Sequence, residues 1–253
     1  MNSILAAFMF FTRLPLWRVV NPPKEAYSNV VVYWPLVGWL TGGAAALIML
    51  GLSAVMPWLP AIVIGLICRL LITGSLHEDG LADFCDAFGC GGSRERMLAI
   101  MKDSHIGTYG VIGLILYYIL TVSLLAEMTP WVGACVFFAA DSFARFCGAQ
   151  TIGFLHYARP EGPKNGITYS GMSPGQRILC AIFGVVPLLI SSYFIGYRLL
   201  FACVLPVLAI IFLLALMRRK LGGYTGDCCG AAYLICEVMF LVGASVSYFL
   251  TLI

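Results

Sequence analysis

The chain has 253 residues, of which 61% are hydrophobic and 11% charged, and its formal net charge is +3. Soluble domains average roughly 45–50% apolar and about 25% charged residues, so this chain, with a mean hydropathy of +0.94, cannot cover its surface with polar groups in water. A cytosolic enzyme, a disordered protein and a nucleic-acid binder are poor readings; the expected fold is an all-α polytopic membrane bundle.

The first segment, MNSILAAFMFF, is apolar but too short to cross a bilayer. It lacks the leading positive charge and small-residue cleavage site of a signal peptide. It reads instead as an interfacial or half-inserted helix anchored by Arg13, Trp17 and Arg18. A crossing needs about 20 mostly apolar residues. Seven runs qualify, at about 36–56, 59–76, 110–126, 131–154, 178–196, 199–217 and 230–253. Pro57–Trp58, Thr129–Pro130 and Tyr197–Arg198 separate successive runs into tight hairpins. The runs are continuous rather than alternating with period two, which favours helices over a barrel. No repeat or linker interrupts them, so residues 1–253 read as one membrane-embedded domain.

Twelve of the fifteen basic residues fall in every second connection: residues 1–35, 77–109, 156–177 and 218–229. The positive-inside rule makes these segments cytoplasmic. The protein is therefore expected in the cytoplasmic (inner) membrane, multi-pass, with its polar segments facing the cytoplasm. Six of the ten cysteines lie in or near the apolar runs, where cysteine behaves as a small hydrophobe. Cys85, Cys90, Cys228 and Cys229 lie toward the reducing side, and no CxxC pair exists.

Chemistry concentrates just after the second run. Glu78, Asp79, Asp83 and Asp86 are four of the twelve acidic residues. On a helix Asp79, Asp83 and Asp86 share one face at i, i+4 and i+7. Three like charges there need a counterion. A hard divalent cation, Mg2+ above all, is held by one or two carboxylates plus substrate phosphates. The alternative is a solvated acidic helix start. A zinc HExxH reading fails because position 81 is Leu81.

Three further cytoplasmic segments carry polar residues. Met101–Gly110 offers Lys102 to a phosphate, with glycines that bare backbone N–H groups ahead of a helix. Tyr157–Gly166 offers Arg159 and Lys164 to a pyrophosphate. Gly222–Asp227 is a Gly-rich turn ending in a carboxylate. Within the apolar runs, Asp141 and Arg145 can pair at i, i+4, and Arg69 can snorkel to the interface or face the acidic cluster.

Taken together, these motifs resemble the cobalamin synthase (adenosylcobinamide-GDP ribazoletransferase) family. The resemblance rests on Phe11-Thr12-Arg13-Leu14-Pro15, on His77 with Asp79-Gly80-Leu81-Ala82-Asp83 and Asp86, and on Asp103-Ser104 with Gly107-Thr108. Tyr157-Ala158-Arg159 and Gly223-Tyr224-Thr225-Gly226-Asp227 complete it. Glu78 stands where the family commonly has an apolar residue, and Lys102 where it commonly has arginine. The resemblance implies a Mg2+-dependent transferase that joins α-ribazole, or its 5′-phosphate, to adenosylcobinamide-GDP and releases GMP. It implies Asp79, Asp83 and Asp86 at the metal, and Arg13, Lys102, Asp103, Arg159, Lys164 and Thr225 at the substrates. His77, His105 and Asp227 stay open as the group that handles the attacking hydroxyl.

Two rival readings are weaker. A CDP-alcohol phosphotransferase signature begins Asp-Gly-x-x-Ala-Arg, whereas here Asp79-Gly80 is followed by Ala82-Asp83, so the arginine is missing and the spacing fails. An ion-coupled transporter would place its charges near the midplane rather than at one face. The large corrin substrate suggests an interfacial groove lined by Trp17, Tyr33, Trp34 and Tyr109. A homo-oligomer is left open by the sequence.

Overall fold

The structure is a computed structural model describing residues 2–159, 161–162 and 171–252. Its helices are α1 (Asn2–Phe11), α2 (Trp34–Leu52), α3 (Trp58–Thr73), α4 (Leu76–Cys90), α5 (Arg94–Ile100), α6 (Thr108–Ala126), α7 (Pro130–Phe154), α8 (Pro174–Ile195), α9 (Val204–Leu221) and α10 (Gly226–Leu252). The 3-10 segments Lys24–Tyr33 and Tyr197–Cys203 lead directly into α2 and α9. Among the described residues no named strand forms; a lone parallel bridge joins Tyr157 to Tyr224.

Six of these helical stretches are long and apolar enough to cross a membrane, and the bent pair α3–α4 makes a seventh. The seven apolar runs therefore correspond to seven structural units. Some helices run past the apolar ends, α8 starting at Pro174 and α9 reaching Leu221, whereas α2 stops at Leu52, short of residue 56. The second run differs most: α3 stops at Thr73, and α4 departs at 92°. The cause is local. Gly74 caps α3 at φ 66° and Ser75 follows at φ 60°, two successive left-handed residues that no α-helix accommodates. α4 is polar on one face, and the bend carries that face away from the line of α3.

Close packing comes from small residues. A Cβ on Gly38 would meet Ser142 Cα at 2.9 Å, and one on Gly42 would meet Asp141 Cβ at 2.7 Å. These glycines, four apart, let α2 lie against α7. α10 packs against α4, α7 and α9. Its approach to α4 is main chain to main chain: a Cβ on Gly80 would meet the Asp227 carbonyl oxygen at 2.9 Å, and one on Gly230 the His77 carbonyl oxygen at 3.1 Å. α1 packs on the Lys24–Tyr33 segment and buries Ala6, Ala7 and Phe11, which joins the core.

Candidate active site

Two polar clusters meet at the α4–α10 contact. The inner one is fully buried. Arg145 donates to Asp141 at 2.5 Å, one turn away on α7, and to Thr41 at 3.1 Å. Arg69 donates to Glu237 at 2.5 Å and to the Tyr117 hydroxyl at 2.6 Å, while Tyr117 donates to Glu237. Tyr233 receives both arginines, at 3.2 Å from Arg69 and 3.3 Å from Arg145, and its ring lies under the Arg145 guanidinium. The pairing expected between Asp141 and Arg145 is present. Arg69 does not snorkel to the interface; it points inward to Glu237, and its approach to the acidic stretch is limited to Glu78 at 3.7 Å. Burial makes this necessary, because an unpaired intramembrane guanidinium is costly.

The second cluster borders a cavity of about 240 Å³. α4 contributes His77 and Asp79, the segment after α7 contributes Tyr157 and Arg159, and the start of α10 contributes Asp227 and Cys229. Its apolar wall comes from Phe10, Phe11, Val31, Trp34 and Ile152. The segments converge for identifiable reasons. Tyr224 N–H donates to the His156 carbonyl at 2.9 Å, and Ala158 N–H donates to the Tyr224 carbonyl at 2.8 Å. This two-bond ladder ties the Arg159 segment to the turn before α10. Arg94 reinforces it by donating to the carbonyls of Leu221 at 2.6 Å and Ala158 at 2.7 Å. Thr225 then caps α10, its hydroxyl accepting from Cys228 N–H at 3.4 Å and donating to Asp227 Oδ2 at 3.2 Å.

Arg159 is buried, yet only loosely engaged. One nitrogen reaches the Met101 carbonyl at 3.3 Å and Asp227 at 3.5 Å, while its Nε has no hydrogen-bond partner. Burial raises the Tyr157 phenol above its ordinary range, against the pull of the Arg159 charge. His77 is buried between rings: Trp34 stacks at 5.6 Å and 15°, and Tyr233 meets it edge-on at 4.8 Å. Its Nε2 lies 3.4 Å from Arg145, so His77 is the hinge between the two clusters.

The other expected site residues are distributed as follows. Asp79, Asp83 and Asp86 do lie along one α4 helix. Asp79 is exposed on the cavity and Asp83 is half-buried. Asp86 is buried, and its two oxygens accept from Gly107 N–H at 2.7 Å and Gly110 N–H at 2.9 Å. Those glycine N–H groups, expected to meet a phosphate, are therefore occupied by a carboxylate of the protein. Lys102, Asp103 and His105 are exposed on the α5–α6 connection and do not line the cavity. His105 Nδ1 bonds Asp103 at 2.6 Å, which holds that carboxyl below its usual range. Arg13 is exposed and folds over Gly74 at the α3–α4 bend. Lys164 lies outside the described residues.

The expected aromatic groove does not form. Trp34 is buried and lines the cavity, whereas Trp17 and Tyr109 are exposed elsewhere and Tyr33 packs toward Phe183. The cavity takes its other rings from Phe10, Phe11 and Tyr157. Sequence reasoning passed over Phe10 and Ile152 there, and assigned no role to Tyr233 and Glu237 in the inner cluster. The signal for that last pair was present: two polar residues at i, i+4 inside an apolar run.

A family model described as cobalamin-5-phosphate synthase matches residues 3–245. The chain belongs to that family. It is 33% identical, over 98% of its length and 96% of the relative's, to an adenosylcobinamide-GDP ribazoletransferase of Leptospira interrogans. It is 35% identical to one of Azorhizobium caulinodans, over 94% of this chain and 93% of the relative. A third, from Clostridium botulinum strain Langeland, is 34% identical over 96% of each chain. No solved structure matches the chain. As a cobalamin-5-phosphate synthase family member, it joins its motifs in space: His77-x-Asp79, Tyr157-Ala158-Arg159 and Thr225-Gly226-Asp227 come from distant parts of the sequence and border one cavity.

The donor set admits a hard cation under one condition. Among the described residues, no three His, Cys, Asp or Glu side chains converge as a ready-made metal cage. Mg2+ does not need one, since it keeps several waters and takes one or two carboxylates together with phosphate oxygens. Asp79 on the cavity wall, with Asp83 one turn along the same face, fits that requirement.

Proposed function

We propose that this membrane protein is an adenosylcobinamide-GDP ribazoletransferase whose reaction takes place at the α4–α10 cavity. A ribose hydroxyl of α-ribazole, or of its 5′-phosphate, attacks the cobinamide-side phosphorus of adenosylcobinamide-GDP. The new P–O bond forms as the bond to the bridging oxygen breaks, and GMP leaves with that oxygen. The product is adenosylcobalamin or its 5′-phosphate. The observation that carries this reading is the convergence of Asp79, Arg159 and Asp227 on one cavity.

Each residue has a task that its surroundings permit. Arg159, whose Nε is buried without a partner, donates to a pyrophosphate oxygen; a charge-assisted bond of this kind is stronger than a neutral one. Asp227, partly exposed beside Arg159, accepts the proton of the attacking hydroxyl. His77 is less suited to that role, because its Nε2 faces Arg145. Asp79 and Asp83 would hold Mg2+, which when bound neutralises charge on the pyrophosphate. Asp86 acts one step removed by fixing the start of α6. The basic residues of the alternate connections support a reaction at the cytoplasmic face of the inner membrane.

The test is purified protein in detergent with adenosylcobinamide-GDP, α-ribazole and Mg2+. Release of GMP together with a cobalamin product is expected, and chelation should stop it. Substrate uptake into vesicles without GMP would overturn the transferase reading in favour of transport. Cysteines placed at Ser93 and Arg219 should resist labelling from outside intact cells; strong labelling would reverse the orientation.

A further inference from the structure

Drug-sized ligands occupy pockets of roughly 300–1,000 Å³. At about 240 Å³, the cavity takes a body the size of a nucleoside and is too small for a corrin ring with its amide arms. Its walls are of two kinds. Phe11 and Trp34 lie 5.0 Å apart and nearly parallel, at 8°, and Ile152 closes the apolar side. Arg159 and Asp227 supply the polar side. An aromatic, aliphatic and charged lining in so small a space suits a flat apolar ring carrying a hydroxylated arm.

The lining also holds two unanswered donors. Trp34 Nε1 and Arg159 Nε are buried and have no hydrogen-bond partner. Buried N–H groups are rarely left unmade, because losing water without a replacement acceptor is costly. Both belong to residues of this one cavity. A nucleoside of an azole base offers Trp34 what it lacks, a ring nitrogen with a free lone pair, while Arg159 Nε is met by the pyrophosphate that the nucleoside's hydroxyl attacks.

We infer that this cavity is the subsite for the aromatic nucleoside, with Phe11, Trp34 and Ile152 holding the base and Asp227 holding the ribose end, next to the Arg159 that meets the pyrophosphate. This rests on the transfer reading above and assigns one of its two substrates to a place. Trp34 Nε1–H donates to the free ring nitrogen, and the reacting hydroxyl is delivered beside Asp227. The corrin substrate then stays outside the cavity, with its pyrophosphate reaching in. Trp34 and Ile152 become the residues that select the lower base.

The experiment is calorimetry on the full chain in nanodiscs, titrating α-ribazole and adenosylcobinamide-GDP separately. Ile152→Phe fills the apolar side, and Trp34→Phe keeps a ring while removing the N–H. Each should weaken α-ribazole binding by about tenfold or more, with the Kd for adenosylcobinamide-GDP unchanged; that unchanged value also shows that the variant is folded. Parent-like α-ribazole binding in both variants overturns the subsite, as does a loss confined to adenosylcobinamide-GDP. If α-ribazole binds as expected but no GMP is released, the subsite stands and the transfer reading falls. If GMP is released and neither variant loses α-ribazole, the reverse holds.

Discussion

The inner cluster and the cavity wall use the same chemistry, arginine against carboxylate, on opposite terms. In the inner cluster both arginines reach a carboxylate at 2.5 Å, and tyrosine and threonine hydroxyls take up further donors. On the cavity wall Arg159 reaches Asp227 only at 3.5 Å and keeps an unmatched Nε. A charge sealed inside a bundle must be matched by the protein itself. One that borders a cavity can be left for a ligand to match. On the proposed reading, the saturated arginines hold the bundle together and the incompletely bonded Arg159 awaits a ligand. Glu78 is the exception that tests the rule: it is buried beside Arg69 at 3.7 Å, with Oε2 unpartnered, and it borders no substrate space.

The comparison breaks most sharply at Asp79. Asp79→Asn keeps the shape and removes one charge from an exposed position, so thermal stability should hold while GMP release falls by about a thousandfold or more, in line with about 4 kcal/mol of lost transition-state stabilisation. Near-normal turnover with an unchanged Mg2+ requirement would remove Asp79 from the metal set. Arg145→Met should act the other way. It strands Asp141 in the core, and breaking a buried pair costs about 3–5 kcal/mol, read as a lower Tm in detergent. The double variant Arg145→Met with Asp141→Leu should recover much of that Tm; failure to recover would mean the pair does more than hold helices together.

Arg159→Ala should lower kcat/KM by about ten- to a hundredfold, the value of one or two charged hydrogen bonds, with little change in Tm. The smallest effect is expected at His105→Ala, with turnover within about twofold of the parent because exposed pairs contribute little. The His105 bond lowers the Asp103 pKa, so its contribution is present above the ordinary carboxylate range and lost as pH falls through the lowered value. A pH–rate profile near neutrality should be the same in parent and variant. A displaced profile would bring His105 back as the group that handles the hydroxyl.

Much of this was readable before folding. Apolar runs set the crossings because length and hydropathy decide them alone, and the i, i+4 spacing of Asp141 and Arg145 announced their pair. The acidic face of α4 was legible for the same reason. Partners across the bundle were not. Nothing local joins Arg69 to Glu237, 168 positions away, or Asp86 to the N–H groups of Gly107 and Gly110. The glycines of that segment carry the same signature whether a phosphate or a carboxylate fills them. Trp34 sits at the end of an apolar run like any interfacial tryptophan, and only the approach of α1 and α4 turns it into cavity lining.

The glycine contact between α4 and α10 has a mechanical consequence. α10 has 27 residues, or about 40 Å at 1.5 Å per residue, against a hydrocarbon layer of about 30 Å. Its surplus turns must project or tilt, and Asp227 sits in the first of them. Because Gly80 rests on the main chain of Asp227, no rotamer adjustment cushions a change in tilt before it reaches the carboxylates on either side. Changing acyl-chain length is therefore expected to shift the rate of GMP release, measured with the protein in vesicles of short-chain and long-chain lipids; equal rates would show that the spacing of Asp79 and Asp227 does not follow the tilt.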